Sequence, residues 1–197
     1  MRQQATRELY AYWNSIRRER AAPDRADIDP AAIRRILSDT FIIEADASGE
    51  FPLRLSGGRL NALWLDETKG RSFPQLWGED RASVTAVLWT VMDGAAPVVM
   101  GAWAAPHDRA PVELEVLLLP LRHHGRTHAR ILGAVAAANH PDWLGLIPVD
   151  RLVLRSMRIM SASDARVDLP IVRPSSAPQR RASRANLRLV PGGLGQA

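Results

Sequence analysis

The chain has 197 residues, 46% of them apolar and 24% charged, with six tryptophans. That is enough to bury the core of one ordinary domain with extensions, and too apolar for a disordered chain. Cysteine is absent, which excludes disulfides, thiolate metal sites and a cysteine nucleophile. The formal net charge of +5 lies at one end: residues 166–197 hold six Arg against one Asp, while residues 1–165 hold 20 basic and 20 acidic side chains. Lys69 is the single lysine, so the arginine bias reads as genome composition more than phosphate recognition. No apolar run approaches the roughly 20 residues of a membrane span, and the N-terminus lacks the apolar core of a secretory signal. A cytoplasmic protein is the expectation.

Residues 2–20 read as a helix, with Leu9, Trp13 and Ile16 on one apolar stripe and Arg7, Arg17, Arg18, Glu19 and Arg20 opposite. Such a stripe either caps a sheet or pairs with its copy in a dimer. Asp29-Pro30 signals a helix start, with a short helix over Ala31 to Leu37. Phe41 to Ala45 and Leu53 to Leu55 form an antiparallel hairpin around the Ala47–Glu50 turn. Gly57-Gly58 supplies a corner with positive φ. Leu60, Leu63 and Trp64 then recur at helical spacing, and after the polar stretch from Asp66 to Gly70, Phe73, Leu76 and Trp77 do so again. One long helix runs from Glu79 to Met92, with Val84, Val87, Leu88 and Val91 inward, acidic residues at its start and Gly94 as its stop.

Three apolar segments follow, at 97–104, 112–121 and 127–138, separated by hairpin-length breakers, and read as consecutive antiparallel strands. Glu113 and Glu115 alternate with Val112, Leu114 and Val116, as an exposed acidic stripe does. Residues 139–149 read as a loop. Residues 151–160 suit either a terminal strand or a packed helix, and residues 173–197 carry little that could form a core. The order is α+β: a five-stranded antiparallel sheet with short helices and one longer helix on one face, plus an N-terminal helix and a C-terminal extension. The expected divisions are 1–37, an N-terminal helical cap; 38–138, the core; 139–165, the C-terminal extension; and 166–197, a basic tail.

That element order, together with Tyr12-Trp13, the stretch PDRADIDPAAIRRIL at 23–37, LRLSGGRLNALWLDETKGRSF at 53–73, LLLPL at 117–121 and ILGAV at 131–135, resembles a PAS domain. Over residues 8–138 it resembles a PAS-like subfamily of short, often stand-alone alphaproteobacterial proteins. The matching turn and loop positions are Arg54, Gly57, Arg59, Asp66, Gly70, Arg71 and Phe73. The resemblance implies sensing, ligand binding or protein docking, usually as a dimer, and implies no catalysis.

Chemistry-bearing residues are few. His107, His123, His124, His128 and His140 sit in or beside turns, and no set of three or four converging ligands completes a metal site. The helix from Glu79 to Met92 carries no histidine to ligate haem, so haem and metal are not expected and the cofactor stays unassigned. Hydrolase, zincin and P-loop signatures are missing, and no catalytic residue is nominated. An apolar pocket between sheet and helices has Leu55, Leu60, Leu63, Trp64, Phe73 and Trp77 as candidate lining, joined by Leu88, Trp103, Leu117 and Leu132; the same side chains serve equally as plain core. Arg54, Arg59 and Arg71 are candidates for its polar rim or for solvated surface. Leu9, Trp13 and Ile16 are the candidate dimer interface. Arg180, Arg181, Arg184 and Arg188 among Ser175, Ser176 and Ser183 admit weak binding of nucleic acid or an anionic membrane, without aromatics to stack on bases. The expected function is a non-enzymatic sensory or regulatory protein that docks a protein partner as a homodimer. A small-molecule sensor and a tail-mediated adaptor are the alternatives.

Overall fold

Two segments of the second half, 116–121 and 131–136, are apolar without the alternation of a half-buried strand. A strand covered on both faces has that composition. The computed structural model describes residues 1–45, 49–123, 126–160 and 166–169, and in it these segments are the central strands β4 (Val112–His123) and β5 (Arg126–Ala137). They belong to a seven-stranded antiparallel sheet with β1 (Thr40–Glu44), β2 (Leu53–Ser56), β3 (Val98–Ala105), β6 (Arg151–Met160) and β7 (Arg166–Leu169), in the order β2-β1-β5-β4-β3-β6-β7. The expected five strands are all present, and β6 and β7 extend the sheet past β3. The β6–β3 pairing shifts register between Gly101 and Ala102. That bulge breaks the alternation of 151–160, which is why its period does not announce a strand. Residues 166–169, expected within the basic tail, pair with β6. The tail arginines Arg180, Arg181, Arg184 and Arg188 and the serines among them lie outside the described residues.

One face of the sheet presents Phe41, Ile43, Leu114, Val116, Leu118, Ile131 and Val135 to α2 (Gly58–Trp64), α3 (Arg81–Asp93) and the 3-10 turns of Pro74–Asp80. Aromatic rings fill this side from the sheet outwards. Phe41 stacks on Phe73 at 5.2 Å, and Phe73 meets Trp77 edge-on at 5.8 Å. Phe41 can lie flat because its cross-strand partner is Gly133; any Cβ there would run into the ring. The opposite face, with Ile42, Val99, Leu117, Leu119, Leu121, Leu132 and Ala134, is covered by α1 (Gln4–Arg17) and by Ala22, Ile28, Ile33 and Ile36. The N-terminal helix therefore lies across the sheet from the other helices. Residues 31–36 are a chain of tight turns, not the expected helix, and they end in a single 3-10 turn at Leu37–Asp39.

Helix α1 starts at Gln3, whose side chain makes no cap. The cap comes from the sheet. The Glu115 carboxylate accepts from the backbone N–H of Arg2 at 2.8 and 3.0 Å and of Gln3 at 3.0 Å, and from the Thr6 hydroxyl at 2.5 Å. Gln3 carries one of the orphan N–H groups at the positive end of the helix, and Arg2 directly precedes it. Burial pushes the Glu115 carboxyl up, but the hydrogen bonds from Thr6, Arg2 and Gln3 outweigh it and hold the carboxyl below its ordinary value. At the other end, the Trp13 indole N–H donates to the Pro120 carbonyl at 2.9 Å. Glu115 is thus a half-buried tether, not part of an exposed stripe.

Gly94 stops α3 as expected, and for both it and Gly57 the physical reason differs. Gly57 has φ −74, so positive φ does not require it. A Cβ there would fall 2.6 Å from the Thr40 carbonyl oxygen and closer still to that of Ser38. Gly57 is needed for close approach. Gly94 is also right-handed, at φ −82, and the left-handed residue after α3 is Ala95.

Gly133→Ala is expected to cost about 1–3 kcal/mol through displacement of the Phe41 ring, measured by urea unfolding. Glu115→Ala is expected to cost about 2–3 kcal/mol, the usual loss of hydrogen bonds to a charged group, and to raise amide exchange in residues 4–13 before the rest of the domain. The folded Glu115 carboxyl titrates below an unfolded glutamate, so its contribution is complete above the ordinary glutamate range. It is lost as pH falls below that range. Wild type should show this acid loss of α1 protection, and the variant should lack it.

Candidate functional site

The ten residues expected around one pocket divide between the two faces. Leu60, Leu63, Phe73, Trp77 and Leu88 lie together on the helical side at 0–2% exposure, with Trp64 half-buried beside them. Leu117 and Leu132 point to the other face, into the α1 core. Trp103 shares that face, because it alternates with Val99 along β3. Leu55, paired with Ile42 on the edge strand, is 37% exposed. One cavity cannot be lined from both sides of a sheet, so Leu55, Trp103, Leu117 and Leu132 leave the set. The remaining large side chains close on one another. The Trp77 indole N–H, sealed inside, meets no acceptor among the described residues.

The expected dimer stripe is corrected in the same way. Leu9 and Trp13 are buried at 0% and 2% against the chain's own sheet, with Ile16 half-buried at the margin. Their apolar area is already used inside the domain.

The three rim arginines have separate surroundings. Arg54 pairs with Glu44, which also takes Arg130 at 3.2 Å. Burial raises the Glu44 carboxyl, but the two guanidinium groups overcome it and hold it below its ordinary value. Arg71 lies over the Trp64 ring, 5.8 Å from its centre. Arg59 stands at a cleft. The first turn of α2 carries it there, with Ala62 and Leu63 on the same wall. Leu114, Val135 and Ala137 come from the ends of β4 and β5, and His140 and Leu144 from the segment after β5; the space is about 120 Å³. This segment is held on α2 by the Val149 N–H, which donates to the Leu63 carbonyl at 2.7 Å, and by burial of Trp143 and Val149 in the core.

Arg59 is fixed from two sides. Its Nε lies 2.7 Å from Oδ1 of Asp39, a carboxylate with 9% of its side chain exposed. Its Nη1 is 3.1 Å from Nε2 of His140. A guanidinium only donates, so His140 accepts through Nε2 and carries its proton on Nδ1. Burial pushes the Asp39 carboxyl up, and Arg59 and Ser38 offset this only in part.

Next to this cleft a second polar device shapes the loop after α2. Asn61 Oδ1 accepts from the Thr68 N–H at 3.0 Å, the Thr68 hydroxyl at 2.8 Å and the Ser56 hydroxyl at 2.7 Å. Thr68 is fully buried. Gly70 adds its N–H to the Leu53 carbonyl at 2.7 Å. Asp39, Asn61, Thr68 and His140 were not among the expected site residues. Small polar residues have no periodicity, and their convergence depends on chain crossings that spacing does not reveal.

Among the described residues, no three His, Asp or Glu side chains gather as metal ligands, and no helix is long and apolar enough to cross a membrane. His107 is exposed 3.9 Å from Asp150, while His124 and the side chains of His123 and His128 lie outside the described residues.

Residues 1–136 match the family model for the PAS domain. The chain belongs to the PAS domain family, an antiparallel α+β fold of sensory and regulatory proteins. Among solved structures it is similar to the Rhodobacter sphaeroides LOV protein, with a TM-score of 0.43 and 12% identity over 58% of this chain and 71% of that one. It is also similar to a point variant of RsLOV, with a TM-score of 0.39 and 14% identity over 72% of each chain. No curated protein matches it.

Asn61→Ala is expected to destabilise the domain by about 2–4 kcal/mol, because several donors lose their acceptor and Thr68 is left buried. Chemical denaturation should show this loss, with amide exchange rising first in residues 65–70.

Proposed function

We propose that this chain is a non-catalytic regulatory PAS protein that acts by docking, first on a second copy of itself and through that dimer on a regulatory protein partner. The supporting observation is the unequal cover of the sheet. The helical face is filled by its own side chains. On the other face α1 lies over β4 and β5, but beyond it Trp103 on β3 and Val153 on β6 stay half-buried, with Glu113 at the start of β4 and Arg155 and Ser156 on β6 exposed.

This surface suits self-association. The Arg155 guanidinium lies 3.8 Å from the centre of the Trp103 ring; an aromatic ring paired with arginine is a combination enriched where interfaces concentrate their energy. Arg2, Trp103, Glu113, Arg155 and Ser156 surround one shallow hollow of about 130 Å³. Both signs of charge are present on the same patch, which is what a twofold interface needs, since each patch must complement itself. The hollow also adjoins the Glu115 cap on α1, so docking there would bear on how that helix is held.

Sedimentation velocity at about 100 μM, a concentration that populates even weak dimers, should give a dimer for the wild type and a monomer for Trp103→Glu, with circular dichroism and thermal unfolding unchanged. A wild-type monomer at that concentration removes self-docking from the proposal. A dimer that survives Trp103→Glu removes this face.

A further inference from the structure

We propose that the cleft between α2, the ends of β4 and β5 and the 140–144 segment binds a small monocarboxylate with an apolar body of about four to six carbons. The argument is one of shape and of which atoms face inwards. The walls are Ala62, Leu63, Leu114, Val135, Ala137 and Leu144, and the polar side chains at the opening are Arg59 and His140. Both present nitrogen. Asp39 stands behind Arg59 and is not part of the lining.

The geometry assigns separate tasks to these groups. Asp39 takes the Nε side of the guanidinium and His140 takes Nη1, which fixes the plane of Arg59. The remaining N–H groups of its outer edge are the ones a carboxylate oxygen can accept from, in the charge-assisted pairing that guanidinium geometry favours. An alcohol would gain only a neutral hydrogen bond there. An amine would bring a third cationic or donor group beside Arg59 and His140. The head-group chemistry is therefore anionic, and the partial neutralisation of Arg59 by Asp39 sets the affinity at a metabolite-like level, not a tight one.

Size follows from the volume. An apolar cavity of about 150 Å³ takes benzene, so 120 Å³ with an open mouth takes a shorter or narrower body whose carboxylate remains at the lip. Much longer chains would extend past the walls and gain nothing from them.

The construction of the cleft also says what occupancy would affect. Ala62, Leu63, Leu114 and Val135 belong to the family-matched part of the chain, residues 1–136; Ala137 and, on the second wall, His140 and Leu144 do not. That second wall leads through Val149, tied to the Leu63 carbonyl, directly into β6, which pairs with β3 beside the Trp103 face. A bound carboxylate would hold this segment against α2. The inference adds a stimulus to the regulatory reading above, but binding is measured independently of dimerisation, so either can fail alone.

The test is a titration of the full-length protein with sodium butanoate, hexanoate and decanoate, with hexan-1-ol and hexylamine as controls, followed by amide NMR. Hexanoate should give saturable shifts at Ala62, Ala137 and His140. Hexan-1-ol should bind at least about tenfold more weakly, and hexylamine should not bind. Arg59→Gln should weaken hexanoate by about tenfold or more. Ala137→Leu, which fills the cleft and leaves the ion pair intact, should abolish binding while the remaining spectrum stays native. The proposal is overturned by no saturable shift up to about 20 mM, by hexan-1-ol binding as well as hexanoate, by affinity that keeps rising through decanoate, or by binding that neither variant alters.

Discussion

Everything in this molecule depends on burying β4 and β5 on both faces. Along β4 the residues alternate between two cores: Leu114, Val116 and Leu118 belong to one, Leu117, Leu119 and Leu121 to the other. A strand of this kind cannot be exposed on either side without placing a row of leucines in water, at roughly 1.5–3 kcal/mol for each side chain. Two separate covers are therefore obligatory. The helices that follow β2 supply one. The chain before β1 supplies the other, and it needs tethers because α1 has only a narrow apolar stripe. Glu115 and the Pro120 carbonyl provide them from β4 itself, so the strand that needs the cover also fixes where the cover lies.

The same constraint decides how much space is left for chemistry. Rings between sheet and helices meet at stacking and edge-on distances, and the residues around them are almost fully enclosed. Open space persists where regular cover runs out. One such place is the seam between α2 and the segment after β5, where small residues, Ala62 and Ala137, face one another across the cleft. Another is the outer face of β3 and β6 beyond the reach of α1. Both adjoin the part of the chain that follows residue 136, beyond the family-matched region.

The sequence made much of this architecture legible. Periodicity located α3, the β1–β2 hairpin and the three consecutive strands to within a few residues, because each has a single dominant spacing. The ordered series of elements was enough to suggest the PAS family. What periodicity could not supply was sidedness. Trp103, Leu117 and Leu132 are as apolar as Leu63 or Trp77, and only the register of β3, β4 and β5 shows that they face the other way. β6 was ambiguous because its bulge interrupts the alternation, and the Ala31–Leu37 segment carries a helix-start signal but folds as successive turns. Among the rim arginines, Arg59 was visible as a candidate. Asp39 and His140, the groups that orient it, lie 20 residues before it and 81 after it, beyond any local pattern.

The tethers of α1 also bear on the order in which the chain is made. Trp13 and Pro120 are separated by 107 positions, and Arg2 and Glu115 by 113. The first helix thus leaves the ribosome long before the strand it must cover exists. A 14-residue helix is near the limit of what holds together alone in water. During synthesis it is an unattached amphipathic segment whose Leu9 and Trp13 are open to any apolar surface nearby. Only once the ribosome has released β4 can α1 acquire its final conformation, so a segment made long before the strands is settled only after them.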